Sequence, residues 1–151
     1  MALPDDEAFL GIVEATPLVA IDLVIGDERG RVLLGKRVNR PAQGSWFVPG
    51  GRIRKDERIR DALARIAQAE LGAPVGEAML LGAFDHLYAD NFLGRPGITT
   101  HYVVLAYACT LGAGAAPRPD RQHSELRWWE AGELLASPEV HENTKRYFRD
   151  A

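Results

Sequence analysis

Four positions at helical spacing carry the first sign of chemistry. Successive residues on an α-helix turn by about 100°. Ile59, Leu63 and Ile66 therefore share one narrow face, and Glu70 falls in the middle of it, one turn further on. An ionised carboxylate on an apolar stripe is costly unless it is paired, hydrogen-bonded or bound to a metal. A helix end that leaves the core would instead let Glu70 reach solvent. Just before this helix stands Val48-Pro49-Gly50-Gly51-Arg52. Paired glycines let a backbone carbonyl approach a ligand or ion closely. A glycine bend followed by an inward carboxylate suits a site for a metal and a pyrophosphate. Glu57 lies on nearly the opposite face and reads as a first-turn acid favoured by the helix dipole.

The elements that must hold these residues follow from pattern and punctuation. Pro4-Asp5-Asp6-Glu7 starts a helix, which Thr16-Pro17 ends. Leu18 to Ile25 is a predicted strand interrupted by Asp22. A turn at Asp27 to Gly30 sends the chain back through Val32 to Arg37 as the second arm of a hairpin. Asn39 to Gly51 is loop-like. Asp56 opens the central helix, which runs to Leu71 and is stopped by Gly72 and Pro74. Leu80 to Tyr88 and Thr99 to Thr110 are two longer strands. Gly112 to Gln122 is a Gly/Ala/Pro loop, Leu126 to Trp129 a short strand, and Ala131 to Ala136 and Val140 to Phe148 short helices. With no internal repeat and no dividing linker, residues 1–151 are expected to form one α+β domain with helices covering a sheet.

Composition narrows the partners. Hydrophobic residues make up 46% and charged residues 26%, ordinary for a globular chain. The net charge is −3 and no Lys/Arg run is long enough to make a basic face, which argues against a nucleic-acid partner. A few arginines and a metal ion suffice for a small phosphorylated substrate. The single cysteine, Cys109, excludes an intrachain disulfide and a zinc site built from cysteines alone. It sits in an apolar run and is expected to be a buried thiol. The first residues lack the basic-then-apolar order of a signal peptide. No apolar run approaches the ~20 residues of a membrane span. A cytoplasmic location with no membrane partner is the expectation.

Aligned on Gly51, the central stretch resembles the Nudix box, G-x5-E-x7-R-E-U-x-E-E-x-G-U with U aliphatic. Gly51, Glu57, Arg65, Glu70 and Gly72 fall on its fixed positions. Ile66 replaces the glutamate after the arginine, and Ala69 the first glutamate of the final pair. Ala67 and Ala73 are small versions of the aliphatic positions. So reduced, the box fits either a fold that binds without catalysis or a subfamily that works with fewer metals.

The rest of the chain favours the second. The run Leu34-Gly35-Lys36-Arg37-Val38-Asn39-Arg40-Pro41-Ala42-Gln43-Gly44-Ser45-Trp46-Phe47-Val48-Pro49-Gly50-Gly51-Arg52 is similar to GDP-mannose mannosyl hydrolases, which lack the same two box carboxylates. Thr16-Pro17-Leu18-Val19, Asp90-Asn91-Phe92, Thr99 to Val104, Gln122-His123 and the Asn143 region extend the likeness. The resemblance implies the Nudix fold, mixed β-sheets sandwiched between helices, and a homodimer. It implies one Mg²⁺ per site, with Mn²⁺ as a substitute, held by the Gly50 carbonyl, Glu70 and Gln122. Arg37 and Arg52 would bind the diphosphate with Arg65 in support, unless Arg65 pairs with Glu57 or Glu70. Tyr102 would donate to the leaving phosphate, His123 would be the general base, and Asp22 and His86 would face the sugar hydroxyls. On its own, Asp22 also fits an outward residue of an edge strand. His101 and His141 are left structural. The implied substrate is a GDP-sugar, GDP-mannose before GDP-glucose or GDP-fucose, split to GDP and free sugar by water attack at the anomeric carbon. The alternatives are a pyrophosphohydrolase releasing GMP and sugar 1-phosphate, and a non-catalytic nucleotide-sugar-binding module.

Overall fold

The structure, a computed structural model, describes residues 3–112, 115–118 and 123–149, the side chains of His123 and Ser124 excepted. In chain order the elements are α1 (Asp6–Ala15), β1 (Leu18–Ile25), β2 (Val32–Arg37), β3 (Trp46–Phe47), β4 (Gly50–Arg52), α2 (Ile59–Leu71), β5 (Val75–Tyr88), β6 (Thr100–Leu111), β7 (His123–Trp129), α3 (Ala131–Ala136) and α4 (Glu142–Arg149). Two sheets form, in the orders β4-β1-β6-β5 and β3-β2-β7. The expected α+β architecture of mixed sheets and helices is present.

β-strand alternation sorts the first sheet into two faces. Ile21, Leu23 and Ile25 of β1 point to a core that also takes Cys109 of β6 and the buried face of α2. Leu33 of β2 joins that core, so α2 packs where the two sheets meet. Its neighbour Leu34 points the other way, into a second core with Trp46, Trp129, Leu134 and Val140, which α3 closes. The even-numbered residues of β1, by contrast, look out from the first sheet.

Several elements differ from the sequence expectations. The hairpin does not form: β1 runs parallel to β6 and antiparallel to β4, while β2 belongs to the other sheet. What remains of it is the turn at Asp27 to Gly30 and a single bridge from Gly26 to Val32. An apolar strand can bury both faces only at a sheet's centre, and β1, with five of its eight residues buried, takes an interior place. The helix α2 starts at Ile59 rather than Asp56, because Asp56 adopts a left-handed turn with φ 64°. Gly72, also left-handed at φ 62°, ends it as expected. The stripe on α2 is also rotated: Ile59 is exposed, and the buried face is Ala62, Ile66, Ala67, Glu70 and Leu71. β5 begins at Val75 and β7 at His123, both earlier than expected, and α4 begins at Glu142. Cys109 is buried and free, and burial pushes its thiol up to about 11. Among the described residues, no helix is long and apolar enough to cross a membrane.

Candidate active site

The outward face of the first sheet floors a cleft of about 750 Å³. Strand period brings the sequence candidates together there. Ala20 and Asp22 of β1, His86 and Tyr88 of β5, and Tyr102 and Val104 of β6 share the face, with His86 directly opposite Tyr102 in the ladder. Asp22 therefore faces the cleft from an interior strand, not from an edge. The glycine strand β4 runs along the other side of β1, with Gly50 opposite Asp22 and Arg52 opposite Ala20. Of the ten residues expected in the site, Asp22, Arg37, Gly50, Arg52, His86 and Tyr102 line the cleft.

Gly50 has no space for a side chain. A Cβ there would lie 2.4 Å from Asp22 Oδ1 and 2.5 Å from the Ile21 carbonyl oxygen. Gly51 is nearly as close to Ile66, whose side chain would stand 3.1 Å from an added Cβ. Ile66 thus serves as the floor under Gly51, 1% exposed, while Ala69 lies at the surface. Glu70 is 6% exposed on the inward face of α2, so the helix end does not carry it into solvent.

Arg65 takes the alternative place that the sequence left open, as the partner of Glu57. Its Nε donates to Glu57 Oε2 at 2.7 Å, and its Nη2 donates to Glu57 Oε1 at 2.9 Å and to the Arg52 carbonyl at 2.8 Å. The guanidinium is taken up in clamping α2 to β4 and does not line the cleft. Hydrogen bonding to Arg65 holds the Glu57 carboxyl down at about 2. Glu57 and the nearby negative charge of Glu70 in turn raise Arg65. Glu57 is accordingly a fixed ion-pair partner ahead of the helix rather than a first-turn acid within it.

Two arginines remain for an anion. Arg37 leaves the end of β2 at a register shift, is steadied by the Pro41 carbonyl at 3.1 Å, and sits 5.7 Å from the Phe47 ring centre. Arg52 lies over the Phe9 ring at 4.7 Å, a cation–π contact to α1. The Tyr102 phenol is half-buried within the field of both, and burial raises its pKa, so it stays a hydrogen-bond donor.

At the opposite end Asp22 Oδ2 accepts from the Tyr147 hydroxyl at 2.5 Å, and that hydroxyl lies 3.1 Å from His86 Nε2. Burial pushes the Asp22 carboxyl up to about 7 against the pull of Tyr147 and Arg37. Burial, then the charge of Arg146, holds His86 down at about 4, so the ring is neutral at ordinary pH.

Gln122 lies outside the described residues. His123 opens β7 with its backbone opposite Arg37, but its side chain is outside the described atoms. The groups that are described fit a hard cation. The Gly50 carbonyl and the Glu70 carboxylate are oxygen donors of the kind Mg²⁺ prefers. The tight fit at Gly50 means that only a residue without a side chain can stand there, with its backbone beside Asp22 Oδ1. Among the described residues no group of three or more His, Cys, Asp or Glu converges.

Sequence reasoning missed Tyr147, Tyr88, Phe9 and His141. Phe9 and Phe92 pack at 5.2 Å beside the cleft. His141, left structural, stacks on Phe47 at 4.6 Å and borders a second hollow beside Tyr88. Nothing in their local spacing marks them: Phe9 and Tyr88 line the cleft, and Tyr147 and His141 meet its lining residues, only once helix and sheet have packed.

The profile of the NUDIX domain matches residues 16–151, which takes in every element after α1. The chain belongs to the Nudix family of hydrolases, enzymes that generally use a divalent metal such as Mg²⁺. It is similar to the low-salt glycan biosynthesis protein Agl8 of Haloferax volcanii, 46% identical over 129 residues that cover 85% of this chain and 80% of that one. It is also similar to a MutT NUDIX hydrolase from Burkholderia pseudomallei, with a TM-score of 0.73, 30% identity, and 88% of this chain and 96% of that one covered. The fold is shared with the NUDIX domain of Shewanella oneidensis NrtR, solved with ADP ribose, at a TM-score of 0.66, 22% identity, and coverage of 97% and 92%.

Proposed function

We propose that this Nudix hydrolase cleaves a GDP-sugar, GDP-mannose first among the candidates, to GDP and the free sugar. The observation that carries the reading is the inward face of α2. It presents one carboxylate, Glu70, while Ile66 fills the core under Gly51 and Ala69 lies at the surface. Attack at phosphorus in the family draws on several metals held by the box carboxylates, and this box has given up two of them. A metal bound at the Gly50 carbonyl, Glu70 and Gln122 would supply positive charge against the departing diphosphate. Arg37 and Arg52 carry the remaining phosphate charge with guanidinium groups that do not deprotonate. Tyr102 donates a hydrogen bond on the same side.

Water then adds its oxygen to the anomeric carbon from the opposite face, inverting it. The C1–O bond breaks and its electron pair leaves with the β-phosphate oxygen of GDP. His123 takes the proton from the water. Asp22 and His86 receive the sugar hydroxyls, and a wrong epimer leaves them without partners. The relation to a glycan biosynthesis protein agrees with a substrate that carries sugar. We read residues 1–151 as one domain and the protein as a homodimer. Light scattering is expected to give about twice the 16.6 kDa chain mass.

Hydrolysis in ¹⁸O-water with Mg²⁺ tests the chemistry. The label is expected in the sugar, with GDP unlabelled. Label in phosphate, with GMP and sugar 1-phosphate as products, would replace this reading with pyrophosphate hydrolysis. Binding without turnover across several divalent metals would leave only a binding module.

A further inference from the structure

The C-terminal helix sends one side chain between the two sugar-end groups. Tyr147 of α4 stands 2.5 Å from Asp22 Oδ2 and 3.1 Å from His86 Nε2, joining residues 125 and 61 positions away in the chain. Its ring is held by an edge contact to Phe84 at 4.9 Å, with Phe148 of its own helix further off at 6.5 Å. The other Asp22 oxygen faces Gly50, where no side chain fits. His86 is only 3% exposed.

A phenol has one proton to give and can accept in return. The shorter contact assigns that proton to Asp22 Oδ2. The Tyr147 oxygen then accepts from His86, which must carry its proton on Nε2. The other ring nitrogen, Nδ1, is left as an acceptor. We propose that Tyr147 is a positioning residue that holds Asp22 in place and fixes the tautomer of His86, so that the pair presents a set pattern of acceptors to sugar hydroxyls. The assignment of those hydroxyls rests on the function proposed above; the hydrogen-bond order does not. A pattern of fixed acceptors rejects an epimer whose hydroxyl points elsewhere, because a buried group is then left without its partner. Tyr147 never touches the reacting carbon in this scheme and acts only through Asp22 and His86.

The test is Tyr147→Phe, which keeps the ring packing and removes the hydroxyl. Phe148→Leu serves as a packing control. Long-range ¹H–¹⁵N spectra of the His86 ring at pH 8 are expected to give one dominant Nε2–H tautomer in the unaltered protein and in Phe148→Leu, and a mixture in Tyr147→Phe. The ratio of kcat/KM for GDP-mannose over GDP-glucose should fall about tenfold in Tyr147→Phe and hold in the control. The same substitution should cost little further selectivity when Asp22→Asn is already present. An unchanged His86 pattern or an unchanged sugar ratio in Tyr147→Phe overturns the proposal, whatever happens to stability. If the unaltered protein releases no sugar at all, the proposed function fails, while the ring-nitrogen measurement still decides the hydrogen-bond order.

Discussion

Gly50, Arg52 and Glu70 come from one short run of chain, whereas Asp22, His86 and Tyr147 come from a first strand, a fifth strand and the last helix. The former group gathers charge: a carbonyl, a carboxylate and a guanidinium, set by a glycine bend and a helix that Arg65 ties together. The latter gathers directional hydrogen bonds. Under the proposed function, the difference follows from what each would recognise. A diphosphate and its metal are strong, nearly isotropic charges that a local motif can meet. A sugar is a neutral ring of hydroxyls, and its recognition needs donors and acceptors aimed from several directions. Such an arrangement becomes available only where distant segments converge.

If the two ends divide the work in this way, damage to them should look different. His123→Gln tests the step both ends serve. Turnover is expected to fall about 10²–10⁴-fold, the usual range for a general base, while GDP titration calorimetry gives an unaltered affinity; equal activity would remove His123 from that role. Glu70→Gln should cost about 10²–10³-fold in kcat and weaken the dependence on Mg²⁺, yet leave the mannose-to-glucose ratio where it was. A shift in that ratio would mean that the ends are not separable, and the contrast breaks.

The smallest effect concerns the brace behind the metal end. Arg65 holds Glu57 at about 2, below its ordinary 4.5. A depressed carboxyl contributes stability that is whole above the ordinary value and drains away as pH falls towards the folded one. Both side chains are partly screened by solvent, so Glu57→Gln should cost on the order of 1–2 kcal/mol near pH 7. Urea midpoints of the two proteins should converge between pH 4.5 and about 2. A constant gap across that window would mean that Arg65 is held by the Arg52 carbonyl and not by the ion pair.

Legibility in the sequence divides along the same line. Gly50, Glu70 and the box were readable because helical period and glycine spacing are local. Even there the apolar face was placed one step off. Ile59 looked like core, but the left-handed turn at Asp56 delays the helix, and Ala62 and Ala67 take the buried positions. Asp22 and His86 were found by resemblance alone, and the false hairpin left Asp22 as easily on an edge as in the interior. The pairing of β1 with β6 spans some eighty residues and leaves no local trace. Tyr147 had no such aid. A tyrosine in a short polar helix reads as surface until the helix is seen to lie against β5.

The first helix stands apart from all of this. It precedes the family match, which begins at residue 16, yet Asp6, Phe9 and Val13 form one wall of the cleft and Arg52 rests on Phe9. A version trimmed to the matched residues would keep both ends of the chemistry and lose the side against which one of its arginines leans.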